Sequence, residues 1–167
     1  CEKPLSQVSY CFLGDAGNNM GDSLLIGGAK MGMDVRLCAP KACWPDQAII
    51  DYASAIAAET GAKVAVTESI KDAVKSCDFL YTDVWLSMGE PEEKWAERIA
   101  LLKAYQINAD VMKMTGNPRT KFMHCLPAFH NAETKVGKGI QSKFGLDAME
   151  VPEEVFESPA SIVFDQA

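Results

Sequence analysis

No uninterrupted apolar stretch of the roughly 18 or more residues needed to cross a bilayer occurs in this sequence, and no basic segment leads into one. A membrane partner is therefore not expected. Positive charge is also scarce: 16 Lys and Arg stand against 23 Asp and Glu, for a formal net charge of −7. Such a surface repels polyanions, so nucleic acid is not expected as a partner. Cysteine pairs at metal-ligand spacing are missing as well. The six cysteines, Cys1, Cys11, Cys38, Cys43, Cys77 and Cys125, are scattered singly with no CxxC, and only two histidines accompany them. At 167 residues and 48% apolar composition the chain can bury a core without disulfides, so one soluble globular domain spanning 1–167 in a reducing cytoplasm is expected. Internal repeats and low-complexity segments are absent.

Short apolar, β-rich runs recur at Val8-Leu13, Val35-Cys38, Val64-Thr67, Phe79-Tyr81 and Lys121-Cys125, and helical apolar spacing fills the intervals. Strands apolar on both faces and separated by helices predict an α/β fold: a doubly wound, Rossmann-like parallel sheet of about five strands, with helices on both faces. Asn18 or Asn19 can cap a helix running to about Met31, Pro45 is expected at the start of a second, and Gly61 can close it. Pro91 is expected in the first turn of a later helix on which Trp95, Ile99 and Leu102 share one face.

Ligands of open parallel sheets bind outside the carboxyl ends of the strands. Three polar loops stand there: Gly14-Asp15-Ala16-Gly17-Asn18-Asn19-Met20, Thr82-Asp83-Val84-Trp85-Leu86-Ser87-Met88-Gly89-Glu90, and His124-Cys125-Leu126-Pro127-Ala128-Phe129-His130. The first invites a dinucleotide reading, but it lacks the third glycine and the acid that should end strand two; that strand ends Leu37-Cys38-Ala39-Pro40. A tight turn and a helix cap account for the same residues without a ligand. In the second loop Asp83 needs a cation, because a carboxylate at the end of a buried strand costs several kcal/mol to desolvate unpaired. A lysine or arginine of this chain, a turn cap or a ligand ammonium would each serve. Ser87, Met88 and Gly89 add a hydroxyl and backbone N–H groups suited to a carboxylate.

In the third loop His124 and Cys125 are adjacent, and adjacent residues of an extended chain point to opposite faces. A protease-like Cys/His dyad is therefore not expected. Zinc is not expected either, since Cys125 and His130 alone fall short of a ligand set. Leu126-Pro127 is a candidate cis peptide. Trp85 is a core residue or a wall of the pocket.

Together these loops, with Cys43-Trp44-Pro45, Lys94-Trp95-Ala96-Glu97-Arg98 and Val155-Phe156-Glu157-Ser158, resemble the ornithine-binding domain of the ornithine carbamoyltransferases across essentially the whole chain. The Ser-Met-Gly and His-Cys-Leu-Pro segments carry the resemblance most specifically. It implies transfer of a carbamoyl group from carbamoyl phosphate to the δ-amine of L-ornithine, with no metal or organic cofactor. By matching positions, Asn19, Asp83, Ser87 and Met88 would contact ornithine, Asp83 through the α-ammonium and Asn19 and the Met88 backbone through the α-carboxylate. Cys125 would lie beside the δ-amine, and Cys125 and Leu126 would meet the carbamoyl group.

Two departures qualify the resemblance. The family's carbamoyl-phosphate domain has no counterpart here, and members continue past Asp165-Gln166-Ala167 into a further arginine and a last helix. The chain also opens on Cys1 rather than Met, so both ends are expected to be internal, the isolated fragment inactive and some apolar surface uncovered. Family members form trimers through the other domain; the full-length parent is expected to be a homotrimer or a multiple of one. The reading from another class is a Rossmann-type nucleotide- or amino-acid-binding module without catalysis.

Overall fold

Five mainly apolar runs pair as one parallel sheet in the computed structural model, which describes residues 2–86 and 91–166. The strands are β1 (Ser9–Leu13), β2 (Asp34–Cys38), β3 (Lys63–Thr67), β4 (Phe79–Thr82) and β5 (Lys121–His124), in the order β3-β2-β1-β4-β5. Each matches the expected run to within a residue or so. The helices are α1 (Asn19–Lys30), α2 (Gln47–Thr60), α3 (Ile70–Val74), α4 (Trp95–Leu102), α5 (Ala109–Met114), α6 (Lys135–Phe144), α7 (Glu153–Phe156) and α8 (Val163–Gln166). None is long and apolar enough to cross a membrane.

Side-chain alternation along the strands divides the interior in two. Tyr10 and Phe12 of β1, with Val35 and Leu37 of β2, face a core completed by α1, α2, α4 and α6 through Leu25, Ala53, Ile99 and Ile140. Cys11, Leu13, Cys38, Leu80 and Phe122 face the other side, where α3, α5, α7 and α8 supply Val74, Val111, Phe156 and Val163. Burial on both faces explains why the strands read as continuous apolar runs. α1 lies so close to the sheet that a Cβ on Gly28 would meet Val35 Cγ2 at 2.1 Å.

Local signals set several helix ends. Gly61 (φ 78) closes α2 in the left-handed conformation, and Ser69, Asn108 and Thr134 cap α3, α5 and α6. Two prolines sit further out than expected. Asp46 occupies the N-cap of α2, leaving Pro45 one residue before it, and Pro91 accepts from the Lys94 N–H in a 3-10 turn (Glu92–Lys94) that precedes α4. The cysteines of the described residues, Cys11, Cys38, Cys43, Cys77 and Cys125, are all free thiols.

Candidate functional site

The strand order changes direction between β1 and β4: the chain first steps outward through β2 and β3, then crosses back to β4 and steps the other way to β5. The crevice above such a reversal is where open α/β sheets bind ligands. The loops after β1 and β4 border it, and the Thr82 hydroxyl donates to the Leu13 carbonyl at 2.7 Å, tying the two strand ends together. A mostly apolar cleft of about 630 Å³ lies elsewhere, lined by Leu24 and Gly27 of α1 and by Met31, Tyr10, Phe79 and Met123, with Lys3, Ser23 and Gln166 among its polar groups.

The adjacent asparagines of the first loop have different positions. Asn18 is the cap of α1, its side-chain oxygen accepting from Met20 N (3.0 Å) and Gly21 N (3.1 Å). Asn19, the first helical residue, is exposed. Because Asn18 uses the first-turn donors that a phosphate would need, the dinucleotide reading weakens further.

Asp83 and Cys125 are one step beyond the last paired residues of β4 and β5, Thr82 and His124, so the parallel register sets them beside each other. Asp83 Oδ1 accepts from the Val84 N–H at 2.7 Å, which is the turn-capping role. Its charge lies close enough to the Cys125 thiol to act on that group's proton affinity. Burial, and then the neighbouring Asp83 charge, push that thiol up to about 12. Cys125 is therefore a neutral thiol at physiological pH, not a nucleophilic thiolate. Among the ion pairs of the described residues none involves Asp83, so this half-buried carboxylate has no cation of its own there.

His124 turns away from the Cys125 sulfur. Its Nδ1 accepts from the Leu126 N–H at 2.9 Å, which leaves the proton on Nε2, 3.2 Å from Glu150 Oε1. Glu150 Oε1 also accepts from Phe129 N at 2.6 Å, and both side chains are fully buried. This pair fixes the loop from inside, with Leu126 at φ 51 and Leu126-Pro127 in the cis form. A leucine in the left-handed region costs about 1–3 kcal/mol and persists only where its surroundings hold it.

The first two loops are joined by Arg98 of α4. Its Nη2 pairs with Asp15 Oδ2, its Nε donates to the Trp85 carbonyl at 2.9 Å, and its Nη1 lies 3.8 Å from Cys43 Sγ. Ser87 and Met88, expected on the ornithine side, lie outside the described residues. The structure thus places Asp83 against Cys125 and Leu126 next to it, and Asn19 at the head of α1 on the loop after β1.

The family model for the aspartate/ornithine carbamoyltransferase Asp/Orn binding domain matches residues 6–167. The chain belongs to this family. An ornithine carbamoyltransferase of Neisseria meningitidis is 62% identical over 165 residues, 99% of this chain and 63% of that protein. Another, from Actinobacillus pleuropneumoniae serotype 5b, is 57% identical over 100% of this chain and 51% of its own length. The ornithine carbamoyltransferase from Pyrococcus furiosus superposes with a TM-score of 0.80 at 37% identity, covering 97% of this chain and 45% of that one. The chain therefore spans about half to somewhat under two thirds of the relatives it matches.

Two polar contacts of this carbamoyltransferase domain escaped the sequence reading: Glu150 beneath the His-Cys-Leu-Pro loop, and the Arg98–Asp15 pair between the first two loops. The one hint of Glu150 was an acid between Met149 and Val151 in an apolar setting. Among the described residues His130, Glu153 and Glu157 bring potential metal-ligand atoms within 4.8 Å of one another. There Asn131 and His130 both donate to Glu153 and hold its carboxyl below the usual range.

Proposed function

We propose that this chain is the ornithine-binding half of an ornithine carbamoyltransferase. The parent transfers the carbamoyl group of carbamoyl phosphate to the δ-amine of L-ornithine, giving citrulline and phosphate. The observation that carries the proposal is a carboxylate with no ion pair among the described residues, Asp83, beside a neutral thiol, Cys125, at the reversal of the strand order.

Asp83 binds the α-ammonium of ornithine, which serves as its cation; Asn19, Ser87 and the Met88 backbone take the α end, with Asn19 and Met88 on the carboxylate. The δ-amine attacks the carbonyl carbon of carbamoyl phosphate, the C–O bond to phosphate breaks, and the proton lost by the nitrogen leaves with the departing phosphate. An ordinary amine is mostly protonated at neutral pH, with a pKa near ~10.4, so a partly desolvated position beside Cys125 assists by favouring the neutral form. Keeping Cys125 protonated leaves the substrate amine as the nucleophile, and the thiol orients it. Backbone groups of Cys125 and Leu126, held by His124 and Glu150, meet the carbamoyl group. The rate then comes from alignment and fixed electrostatics.

The phosphate side of the site belongs to a second domain on chain outside these residues, and the parent is a cytoplasmic homotrimer or a multiple of one. The fragment alone is inactive. The decisive experiment assays the full-length parent with both substrates and compares Asp83→Asn. Citrulline formation, with a large rise in ornithine KM and little change in carbamoyl-phosphate KM, is expected. No citrulline from the parent refutes the reading, and equal losses for both substrates refute the role of Asp83.

A further inference from the structure

We propose that Arg98 is a positioning residue: touching neither Asp83 nor Asn19, it sets where the two loops that carry them sit relative to one another. The guanidinium is largely buried, with its side chain 17% exposed and that of its partner Asp15 10% exposed. Each of its recorded contacts goes to a different segment bordering the crevice. Nη2 holds Asp15, on the loop after β1; Nε holds the carbonyl of Trp85, two residues past Asp83; Nη1 packs on Cys43 Sγ in the connection after β2.

The bonds on the far side of each partner extend the linkage. Asp15 uses its other oxygen, Oδ1, to accept from Gly17 N at 3.3 Å, which shapes the turn leading into the Asn18 cap and Asn19. Trp85 is 1% exposed, so its carbonyl has no ready access to water in place of Arg98. A rigid planar fork can serve an acid and a carbonyl at fixed angles together, which a lysine ammonium on a flexible stem cannot do. Support of this kind is what holds binding groups to the tolerance a site needs.

The consequence for ornithine affinity rests on the function proposed above; the consequence for loop order does not. The test is Arg98→Lys in the full-length parent, because the lysine keeps the charge opposite Asp15 and removes the fork. Two readouts are taken. Amide hydrogen exchange without substrate should quicken in residues 15–19 and 83–86 and stay unchanged in β3 and α2. In steady-state kinetics, ornithine KM should rise about tenfold or more, as expected for a lost hydrogen bond from a charged group, with carbamoyl-phosphate KM within about twofold.

Arg98→Gln, which keeps amide donors but no charge, should show the same local exchange pattern. If the wild-type parent makes no citrulline, the function proposal falls, and local exchange alone decides this one. Unchanged exchange in both loops overturns the proposal. So does faster exchange throughout the domain, or an equal rise in both KM values, since either would mark Arg98 as a general stabiliser.

Discussion

Cys125 stands beside Asp83, each the first residue past the paired ends of β5 and β4, so the Asp83 charge acts on the thiol. Burial and the Asp83 charge both favour the protonated thiol, which titrates near 12 against 9.0 for an ordinary one. A folded value above the unfolded one stabilises the fold below the unfolded pKa. That contribution fades as pH rises from about 9 through about 12. Alkylation of Cys125 by iodoacetamide should therefore be slow at pH 8. Asp83→Asn removes the charge, lowers the thiol pKa and should speed the reaction several-fold. Peptide-resolved mass spectrometry reads the site apart from the buried cysteines, and equal rates in the two proteins would contradict the contact.

The paired asparagines allow a cleaner separation of stability from binding. Asn18 satisfies two first-turn N–H groups of α1, whereas Asn19 is exposed and bonds neither. Asn18→Ala should cost about 1 kcal/mol, as the loss of a cap does. Asn19→Ala should leave stability within about 0.5 kcal/mol, the usual range for a surface change, yet, on the proposed function, raise ornithine KM in the full-length parent. Denaturant titration and kinetics on the two variants check both halves; a stability loss centred on Asn19 would reverse the assignment.

The strands, their parallel arrangement and the core were legible, though the strand order was not: Cys11 and Leu13 pack on one side while Tyr10 and Phe12 pack on the other, so the run reads as apolar throughout. The site loops followed from where parallel strands end. The contacts that hold those loops were not legible. Arg98 and Asp15 are 83 residues apart, and His124 and Glu150 are 26 apart; no local periodicity links an acid to a base over such distances. Pro45 misled for a different reason: proline suits the first turn of a helix, but here it falls one residue before the N-cap position, which Asp46 occupies without a side-chain capping bond.

Glu150 illustrates how much such an unread residue can carry. Its Oε1 serves both Phe129 N and His124 Nε2, while its Oε2 is buried with no partner among the described residues. Glu150→Ala would leave the buried His124 donor and the part-buried Phe129 N–H without their acceptor and should cost about 1–3 kcal/mol. Glu150→Gln keeps an accepting oxygen in place of Oε1 and should cost far less. Thermal unfolding of the intact protein distinguishes them, and comparable losses in both variants would show that the carboxylate itself, not the accepting oxygen, holds the loop.

Two helical glycines should respond to alanine in opposite directions. A Cβ on Gly21, in the first turn of α1, would fall 2.1 Å from the Ala16 carbonyl oxygen and 2.7 Å from its carbon, both backbone atoms that cannot rotate aside. Gly21→Ala must therefore push α1 away from the loop after β1, at a cost of about 1–3 kcal/mol or more. The displacement would also carry Asn19, the next but one residue before it, so ornithine KM should rise along with the loss of stability. Gly139 in α6 has nothing within 4 Å of its Cβ position. There alanine only removes freedom from the unfolded chain and should add about 0.4–1 kcal/mol with no effect on either substrate. Denaturant midpoints and both KM values, measured on the pair in the intact enzyme, test the packing of α1 against the first loop; a tolerated Gly21→Ala would mean that this approach is looser than the structure has it.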